Sequence, residues 1–310
     1  DVGGFGTPGS VVCPGCHYCL DAVCVESNAA CAAPCSAAAE LGEARGKRFC
    51  PTLSELCMIE LHSITFAYQP AVPIFENFSW RVERGEAWAV IGPSGCGKST
   101  LLSLIAGLLR PQGGDIEVDG KPLTRPRPQT GLIIQDYGLL PWATVRENAR
   151  LGLRVRNFYG ADGVHAPADY RRTLDVEPWL ERLGLLPFAG QYPAQLSGGQ
   201  RQRTAIARTL ALQPDILLMD EPFSSLDAPT REGLQSLTLE LWQERSLTMI
   251  VVTHSIEEAA RMGQKILLLG QPPNRTPQVI LNPHLTEADY RDSQAYRSLC
   301  RTLRERLEEA

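Results

Sequence analysis

Residues 92–100 read GPSGCGKST and indicate the fold class of this 310-residue chain on their own. The string matches G-x-x-x-x-G-K-S/T, a glycine-rich loop whose backbone N–H groups surround phosphate oxygens. The five residues before it, Ala87–Ile91, are an apolar run typical of a buried strand. One helical face follows, formed by Leu101, Leu102, Leu104, Ile105 and Leu108. A plain glycine-rich turn is the alternative, but the order strand, loop, helix favours a phosphate-binding loop.

This loop supplies most of the predicted nucleotide contacts. Lys98 can reach the β- and γ-phosphates, and the Ser99 hydroxyl can ligate Mg²⁺. The N-terminus of the following helix adds N–H groups and a partial positive charge. The residues expected to contact nucleotide here are Gly92, Pro93, Ser94, Gly95, Cys96, Gly97, Lys98, Ser99 and Thr100.

A second motif delivers two adjacent carboxylates. Residues 216–221 read ILLMDE, a buried strand that ends in acidic residues where ligands bind in parallel sheets. We expect Asp220 to hold Mg²⁺, directly or through water, and Glu221 to orient and polarise the attacking water. Two acids in a solvated turn would be the alternative, which the phosphate loop makes improbable.

The remaining pattern predicts an α/β fold built as a P-loop NTPase (RecA-like) core. An antiparallel β edge begins at Met58, and further buried strands at 131–134, 215–219, 248–253 and 265–269 predict a mainly parallel sheet. The strand signal disappears from 136 to 195, which predicts an inserted α-helical subdomain at about 136–205. Its helices are expected at 145–155 and 169–183, where Pro178 should kink or restart the helix.

After residue 270 the chain continues as a C-terminal extension, 271–310. A proline-rich turn comes first, and an amphipathic helix follows, with its apolar positions at Tyr296, Leu299, Leu303 and Leu307. We expect this helix to pack on the outside of the domain.

Charge and hydropathy exclude several classes of protein. The formal net charge of −5 argues against broad binding of nucleic acid or acidic lipid. No apolar run approaches the ~18 residues of a membrane span, and no secretory signal is visible. A cytoplasmic location is therefore expected.

The first 57 residues differ from the rest and hold eight of the ten cysteines. They are rich in alanine and glycine and lack apolar periodicity, so we expect little stable structure. Cys13, Cys16, Cys19 and Cys24 have a spacing close to an iron–sulfur or zinc pattern, but the last gap is one residue too long for the bacterial ferredoxin run. Because Met58 is the first methionine, we expect residues 1–57 to be dispensable for the activity, or to lie outside the natural product.

A third motif reads LSGGQR at 196–201 and opens a helical stretch at 202–212. Ser197 and Gly199 at a helix N-terminus form a second anion site. A simple helix cap is the alternative. A single chain has no evident use for a second γ-phosphate site so far in sequence from its phosphate loop.

With these motifs in this order, the chain from Met58 to about residue 270 resembles the ATPases of ABC transporters. In that family LSGGQ of one subunit completes the ATP site of the other, so the resemblance implies a homodimer. It also implies ATP and Mg²⁺ as cofactors. The residues implied to contact nucleotide in trans are Ser197, Gly198, Gly199 and Gln200.

The resemblance assigns further residues by position. Gln135 resembles the Q-loop glutamine that senses Mg²⁺ and the membrane partner, and it is implied both as a metal ligand and in catalysis together with Lys98 and Glu221. His254 looks like the switch histidine on the γ-phosphate. Asp227 lies in the D-loop, and Tyr68 holds the place of the aromatic residue that stacks on adenine. Core packing is the alternative for Tyr68, and a satisfied structural residue is the alternative for His254.

Two longer strings resemble the nitrate, sulfonate and taurine importer group: QDYGLLPWATVREN at 135–148 and EPFSSLDAPTR at 221–231. That resemblance implies two transmembrane permease subunits, a periplasmic or extracellular solute-binding protein, no nucleic acid, and a peripheral position on the cytoplasmic face of the inner membrane. We expect the surface around 135–142 to dock a permease helix, so that a cysteine at Tyr137 would crosslink to it.

Two other classes of protein remain as alternatives. An exporter ATPase shares the same catalytic residues. A soluble ABC ATPase of the translation or DNA-repair type would carry a second cassette or a long coiled-coil insertion, neither of which is present. The transported solute is not encoded in these motifs.

Overall fold

The computed structural model describes residues 57–159, 175–287 and 289–309. The predictions about residues 1–56, including the pattern from Cys13 to Cys24, lie outside the described residues, as does the first part of the helix predicted at 169–183. Cys57 is the first residue of a strand and is buried.

The described strands are β1 (Cys57–Gln69), β2 (Val72–Glu83), β3 (Ala87–Ile91), β4 (Gly113–Val118), β5 (Lys121–Pro122), β6 (Thr130–Ile133), β7 (Ile216–Asp220), β8 (Thr248–Val252), β9 (Lys265–Leu268) and β10 (Gln278–Leu281). The described helices are α1 (Lys98–Ile105), α2 (Val145–Tyr159), α3 (Glu177–Arg182), α4 (Gly198–Leu210), α5 (Ala228–Arg245), α6 (Ile256–Met262) and α7 (Gln294–Glu309). None of these helices is both long and apolar enough to cross a membrane.

Two sheets carry the strands. The smaller sheet is antiparallel with the order β2-β1-β4-β5, and the larger has the order β10-β9-β3-β8-β7-β6. In the larger sheet only β10 runs antiparallel to its neighbour, β9. This arrangement confirms the predicted α/β class with a mainly parallel sheet and an antiparallel β edge.

The central strands read as unbroken apolar runs because both faces of a parallel sheet are covered. Every residue of β3 and of β8 is buried. Parallel pairing also brings the carboxyl ends of β3, β8, β7 and β6 to one edge of the sheet. The motifs that follow these strands in sequence therefore meet at that edge.

The segment between β6 and β7 has helices and no strand among its described residues, and α2 packs against α4. The helix predicted across 169–183 is wrong at residues 175–176, because α3 begins only at Glu177. Pro178 lies in the first turn of α3, where its missing N–H removes no helical hydrogen bond. Pro178 therefore restarts a helix rather than kinking one.

The C-terminal residues pack onto the large sheet and its helices. Strand β10 extends the sheet, and α7 lies against α6 with Leu303 fully buried between apolar neighbours. The predicted amphipathic helix is confirmed. The domain boundary at 270 stays a prediction.

Candidate functional site

The loop between β3 and α1 has a backbone path that only glycine permits at two positions. A Cβ atom at Gly92 would lie 2.3 Å from the carbonyl oxygen of Leu269. At Gly97, φ is +108° and a Cβ atom would lie 2.4 Å from Cγ2 of Ile74. The glycines of the motif thus let the backbone itself form the walls of the cradle.

Lys98 is buried at the first position of α1. Its ammonium group donates hydrogen bonds to the carbonyl oxygens of Gly92 (2.8 Å) and Pro93 (2.9 Å). Cys96 lies beneath, and burial raises the pKa of its thiol while Lys98 opposes that rise. The lysine charge therefore lies within the loop, beside the helix N-terminus that favours anions.

The two residues predicted to hold Mg²⁺, Asp220 and Ser99, lie next to each other. Burial raises the pKa of the Asp220 carboxyl, and the negative charge of the neighbouring Glu221 raises it further, while a hydrogen bond from Ser99 lowers it. Oδ1 of Asp220 is buried and has no hydrogen-bond partner among the described residues. A carboxylate oxygen without a partner beside a hydroxyl fits a hard divalent cation such as Mg²⁺, which also takes phosphate and water oxygens.

The described residues contain no cluster of three or more His, Cys, Asp or Glu side chains arranged to hold a metal ion. A cation held by Ser99 and Asp220 would need further oxygen ligands, such as those of phosphates and water.

Glu221 and His254, each predicted separately to take part in catalysis, lie in contact. Oε2 of Glu221 lies 3.2 Å from Nδ1 of His254, and the Glu221 N–H donates to the carbonyl oxygen of Val252 (2.9 Å). Glu221 has φ of +45°, a left-handed conformation that is uncommon for a non-glycine residue and concentrates at functional sites. The bend turns its carboxylate toward the loop that carries His254.

The LSGGQ motif caps α4. Ser197 accepts a hydrogen bond from the Gln200 N–H (3.3 Å), and the Gln200 side chain accepts one from the Ser197 N–H (2.9 Å). Gly199 is buried and packs closely on α5, since a Cβ atom there would lie only 2.4 Å from Cγ2 of Thr230. The cap interpretation therefore holds within one chain, while Ser197 and Gly198 remain accessible at the surface.

Two other predicted residues lie at the surface. Tyr68 is 65% exposed and packs edge-to-face on Phe66. Its hydroxyl oxygen lies 3.4 Å from the hydroxyl oxygen of Thr100. Gln135 is exposed just beyond β6. Asp227 caps α5, and hydrogen bonds from Thr230 lower the pKa of its carboxyl.

Sequence reasoning missed the link between the Gln135 segment and the D-loop. Tyr137 is only 6% exposed, and its hydroxyl lies 2.7 Å from that of Ser225. The expectation that Tyr137 faces a membrane partner is therefore wrong. Arg208 on α4 donates to the carbonyl oxygens of Tyr137 (2.7 Å) and Gly138 (2.5 Å). No periodic signal in the sequence identifies such contacts.

Sequence reasoning also missed the support beneath the phosphate loop. Asn274 is buried, and its amide donates to the carbonyl oxygen of Cys96 (2.9 Å). The Gly270 N–H donates to the Asn274 side-chain oxygen (3.0 Å). A single asparagine in a proline-rich segment carried no recognisable signal.

Comparison with known proteins gives one family. The ABC transporter family profile matches residues 75–224. The aliphatic sulfonates import ATP-binding protein SsuB of Bacillus cereus is 42% identical over 211 residues, which cover 68% of this chain and 79% of that protein. The taurine import ATP-binding protein TauB of Pseudomonas aeruginosa is 42% identical over 202 residues, covering 65% of this chain and 73% of that protein.

Solved structures of the same family are also similar to this chain. A dimeric bacterial ABC transporter cassette, MJ0796, superposes with a TM-score of 0.61 at 33% identity, covering 73% of this chain and 99% of that one. A post-hydrolysis dimer of the same cassette bound to ADP and Pi has a TM-score of 0.60 at 31% identity, with the same coverage of both chains.

Proposed function

This chain belongs to the ABC transporter family, and we propose that it is the ATP-hydrolysing subunit that drives solute import through a separate membrane permease. The observation that carries the catalytic part is the meeting of Glu221 and His254 at 3.2 Å, directly after the strand that delivers Asp220. The relatives named as sulfonate and taurine import proteins support the transport part.

The residues divide the chemistry among them. The backbone N–H groups of the phosphate loop and the Lys98 ammonium hold the phosphates and neutralise their charge. Glu221 orients the attacking water and accepts its proton, while His254 contacts the γ-phosphate and holds the Glu221 carboxylate in place. Tyr68 offers an exposed aromatic ring on which the adenine can stack.

Ser99 and Asp220 would hold Mg²⁺, with Gln135 as a further ligand. When bound, the ion supplies charge neutralisation for the transferring phosphoryl group. The partnerless Asp220 oxygen supports this assignment.

We place the second half of each ATP site on another copy of this chain. Ser197 and Gly198 lie at the surface at the N-terminus of α4, where N–H groups and the helix dipole favour an anion. Dimeric relatives of the same fold support a head-to-tail pair.

The permease is expected to dock beside the loop that follows β6. Ile134 and Trp142 are 46% and 73% exposed, large apolar side chains that a helix partner would cover. A groove of about 630 Å³ lies between β6, α2 and the end of α4, and one of its lining residues, Arg208, also donates hydrogen bonds to carbonyl oxygens of the loop. An apolar groove of this kind suits an amphipathic helix. This position implies a peripheral protein on the cytoplasmic face of the membrane.

The catalytic proposal is tested with Glu221→Gln. The amide keeps the shape of the carboxylate but cannot accept the proton from water, so single-turnover hydrolysis should fall roughly 10²- to 10⁴-fold. The Kd for MgATP should stay within about threefold of wild type. Glu232→Gln, an exposed change on α5, serves as the matched control. A hydrolysis rate of Glu221→Gln close to that of wild type would contradict the role proposed for Glu221.

The docking proposal is tested by crosslinking in the assembled transporter. A cysteine at exposed Trp142 should crosslink to the permease, with a yield that changes when MgATP is trapped in the Glu221→Gln variant. A cysteine at buried Tyr137 should react poorly and serves as the control. Equal yields at the two positions, or no crosslink at position 142 in a transporting complex, would contradict the assignment. Co-purification of a solute-binding protein separates import from export.

A further inference from the structure

His254 has little packing to fix its side chain, which is 63% exposed. Its contact with Glu221 is between two side chains, so it depends on where the backbone of the loop places the imidazole. Long exposed groups at active sites need support from a second layer of contacts to keep catalytic geometry. The origin of that support lies in the residues on either side of His254.

A ring of hydrogen bonds closes around the His254 backbone. The Thr253 hydroxyl donates to Oε2 of Glu258 and accepts from the Ser255 N–H (3.1 Å). The Ser255 hydroxyl in turn accepts from the Glu258 N–H (3.2 Å). The ring therefore joins the residue before the histidine to the residue after it, through a carboxylate on the first turn of α6.

Glu258 is unusual for a charged residue because only 7% of it is exposed. Burial raises the pKa of its carboxyl, and hydrogen bonds from Thr253 and then Gln235 oppose the rise, helped by the charges of Arg231 and His254. Keeping a carboxyl in such a place costs stability unless it makes specific contacts. An apolar residue of the same size would fill the space at a smaller cost.

Gln235 lines the same cavity as Glu258 and belongs to a second part of the site. It is buried on α5, the helix whose N-cap is Asp227 of the D-loop. Glu258 thus lies between the loop of His254 and the helix that begins at Asp227. Thr253 is anchored from the other side, because its N–H donates to the carbonyl oxygen of Val90 in β3 (3.1 Å).

We propose that Glu258 is a positioning residue for ATP hydrolysis: its carboxylate, through Thr253, fixes the backbone that aims His254 at Glu221 and the γ-phosphate. The proposal rests on the proposed function, because it acts through the role given there to His254. Glu258 is not among the residues proposed to contact nucleotide or metal. Its contribution therefore belongs to the rate of hydrolysis and not to the binding of ATP.

Three variants of the full chain separate this role from a general effect on stability. Glu258→Leu fills the space but removes the acceptor of the Thr253 hydroxyl, so kcat should fall about 10- to 100-fold while KM for MgATP changes less than about twofold. Glu258→Gln keeps an acceptor oxygen and should retain most of the rate. Met262→Ala, at a buried position on the same helix, should lower stability by about 2–5 kcal/mol and leave kcat unchanged at a temperature where it is folded.

The decisive measurement is non-additivity with His254. If Glu258 acts through the histidine, adding Glu258→Leu to His254→Ala should lower kcat less than about twofold further. Thr253→Val should reproduce the kcat loss of Glu258→Leu. This second variant tests the same ring of hydrogen bonds if Glu258→Leu folds poorly. Two results would overturn the proposal and leave the proposed function intact. In the first, the kcat losses of the two single variants multiply in the double variant. In the second, Glu258→Leu has the wild-type kcat while His254→Ala is slow. If His254→Ala is as fast as wild type, the role of His254 and this inference both fail.

Discussion

Two adjacent carboxylates at the end of β7 lie in different environments. Asp220 has one buried oxygen without a partner among the described residues, and burial raises the pKa of its carboxyl. Glu221 is turned by its positive φ toward His254. One strand end therefore presents a group suited to a cation and a group suited to a water molecule.

The buried carboxylate of Asp220 should lower the stability of the nucleotide-free protein. A folded-state pKa above the unfolded value means that this group favours the fold below the unfolded pKa and loses that contribution as pH rises through the folded pKa. Asp220→Asn should therefore raise the free energy of unfolding at about pH 7 on the order of 1 kcal/mol, or roughly 2–4 °C in Tm. The gain should shrink as pH falls toward 4, while stabilisation by MgATP is lost.

Thermal melts of both proteins across this pH range, without nucleotide, check the prediction. Asp115→Asn replaces an exposed carboxylate on β4 and should leave Tm within about 1 °C. A lower Tm for Asp220→Asn at neutral pH would contradict the account of this site.

At the scale of elements, the phosphate loop is held from behind by the C-terminal part of the chain. Asn274 bonds both Cys96 in the loop and, more weakly, Ile74 in β2 (3.3 Å), and the Ile74 carbonyl also accepts the Asn274 N–H (2.9 Å). The large and small sheets are thus joined beneath the loop. This contact links residues far apart in sequence, so it fixes the loop only once the chain has folded around it.

Asn274→Ala should loosen this support. Removing the amide leaves the Cys96 carbonyl and the Gly270 N–H without their partner, which costs about 2–3 kcal/mol in unfolding free energy and should weaken MgATP binding several-fold. Asn282→Ala is the matched control, because the buried Asn282 amide bonds two carbonyl oxygens, those of Ala260 and Gly263, at 2.8 Å. Urea unfolding and ATP titration of both variants should show similar stability losses but a loss of affinity only for Asn274→Ala.

The sequence predicted those elements and site residues that have local signals. The phosphate loop, the Asp220 strand and the helix cap at Ser197 each combine an apolar period with a fixed motif, and the structure places them as expected. The supports provided by Asn274 and Glu258 depend on contacts between distant segments or on a single buried polar group. Such features leave no periodic pattern in the sequence.

The prediction for Tyr137 failed for a different reason. Tyr137 was expected on a surface that docks a permease helix, but tertiary packing buries it, with its hydroxyl against that of Ser225. Within the predicted helix 169–183, residues 175–176 are not helical and α3 begins at Glu177, because Pro178 favours the first turn of a new helix; a restart at Pro178 was one of the two predicted outcomes.

At the scale of the whole molecule, the proposed shared ATP site draws on two separate parts of each chain. Lys98 and Glu221 gather at the carboxyl edge of the large sheet, while Ser197 heads a different helix and bonds only within its own cap among the described contacts. A symmetric pair of chains would place the Ser197 end of one copy over the phosphate loop of the other. Each site then draws on both chains.

The most direct test of this account is the ATPase rate of mixed dimers. Lys98→Ala and Ser197→Arg chains, carrying different tags and mixed equally, should each be inactive alone. Together they should recover up to about one quarter of the wild-type rate, because half of the dimers are mixed and each mixed dimer keeps one intact site. Mixing Lys98→Ala with Glu221→Gln should recover nothing, since both residues belong to the same half of a site. Recovery confined to the first mixture is the predicted result, and no recovery there, with mixed dimers isolated through both tags, would contradict the shared site.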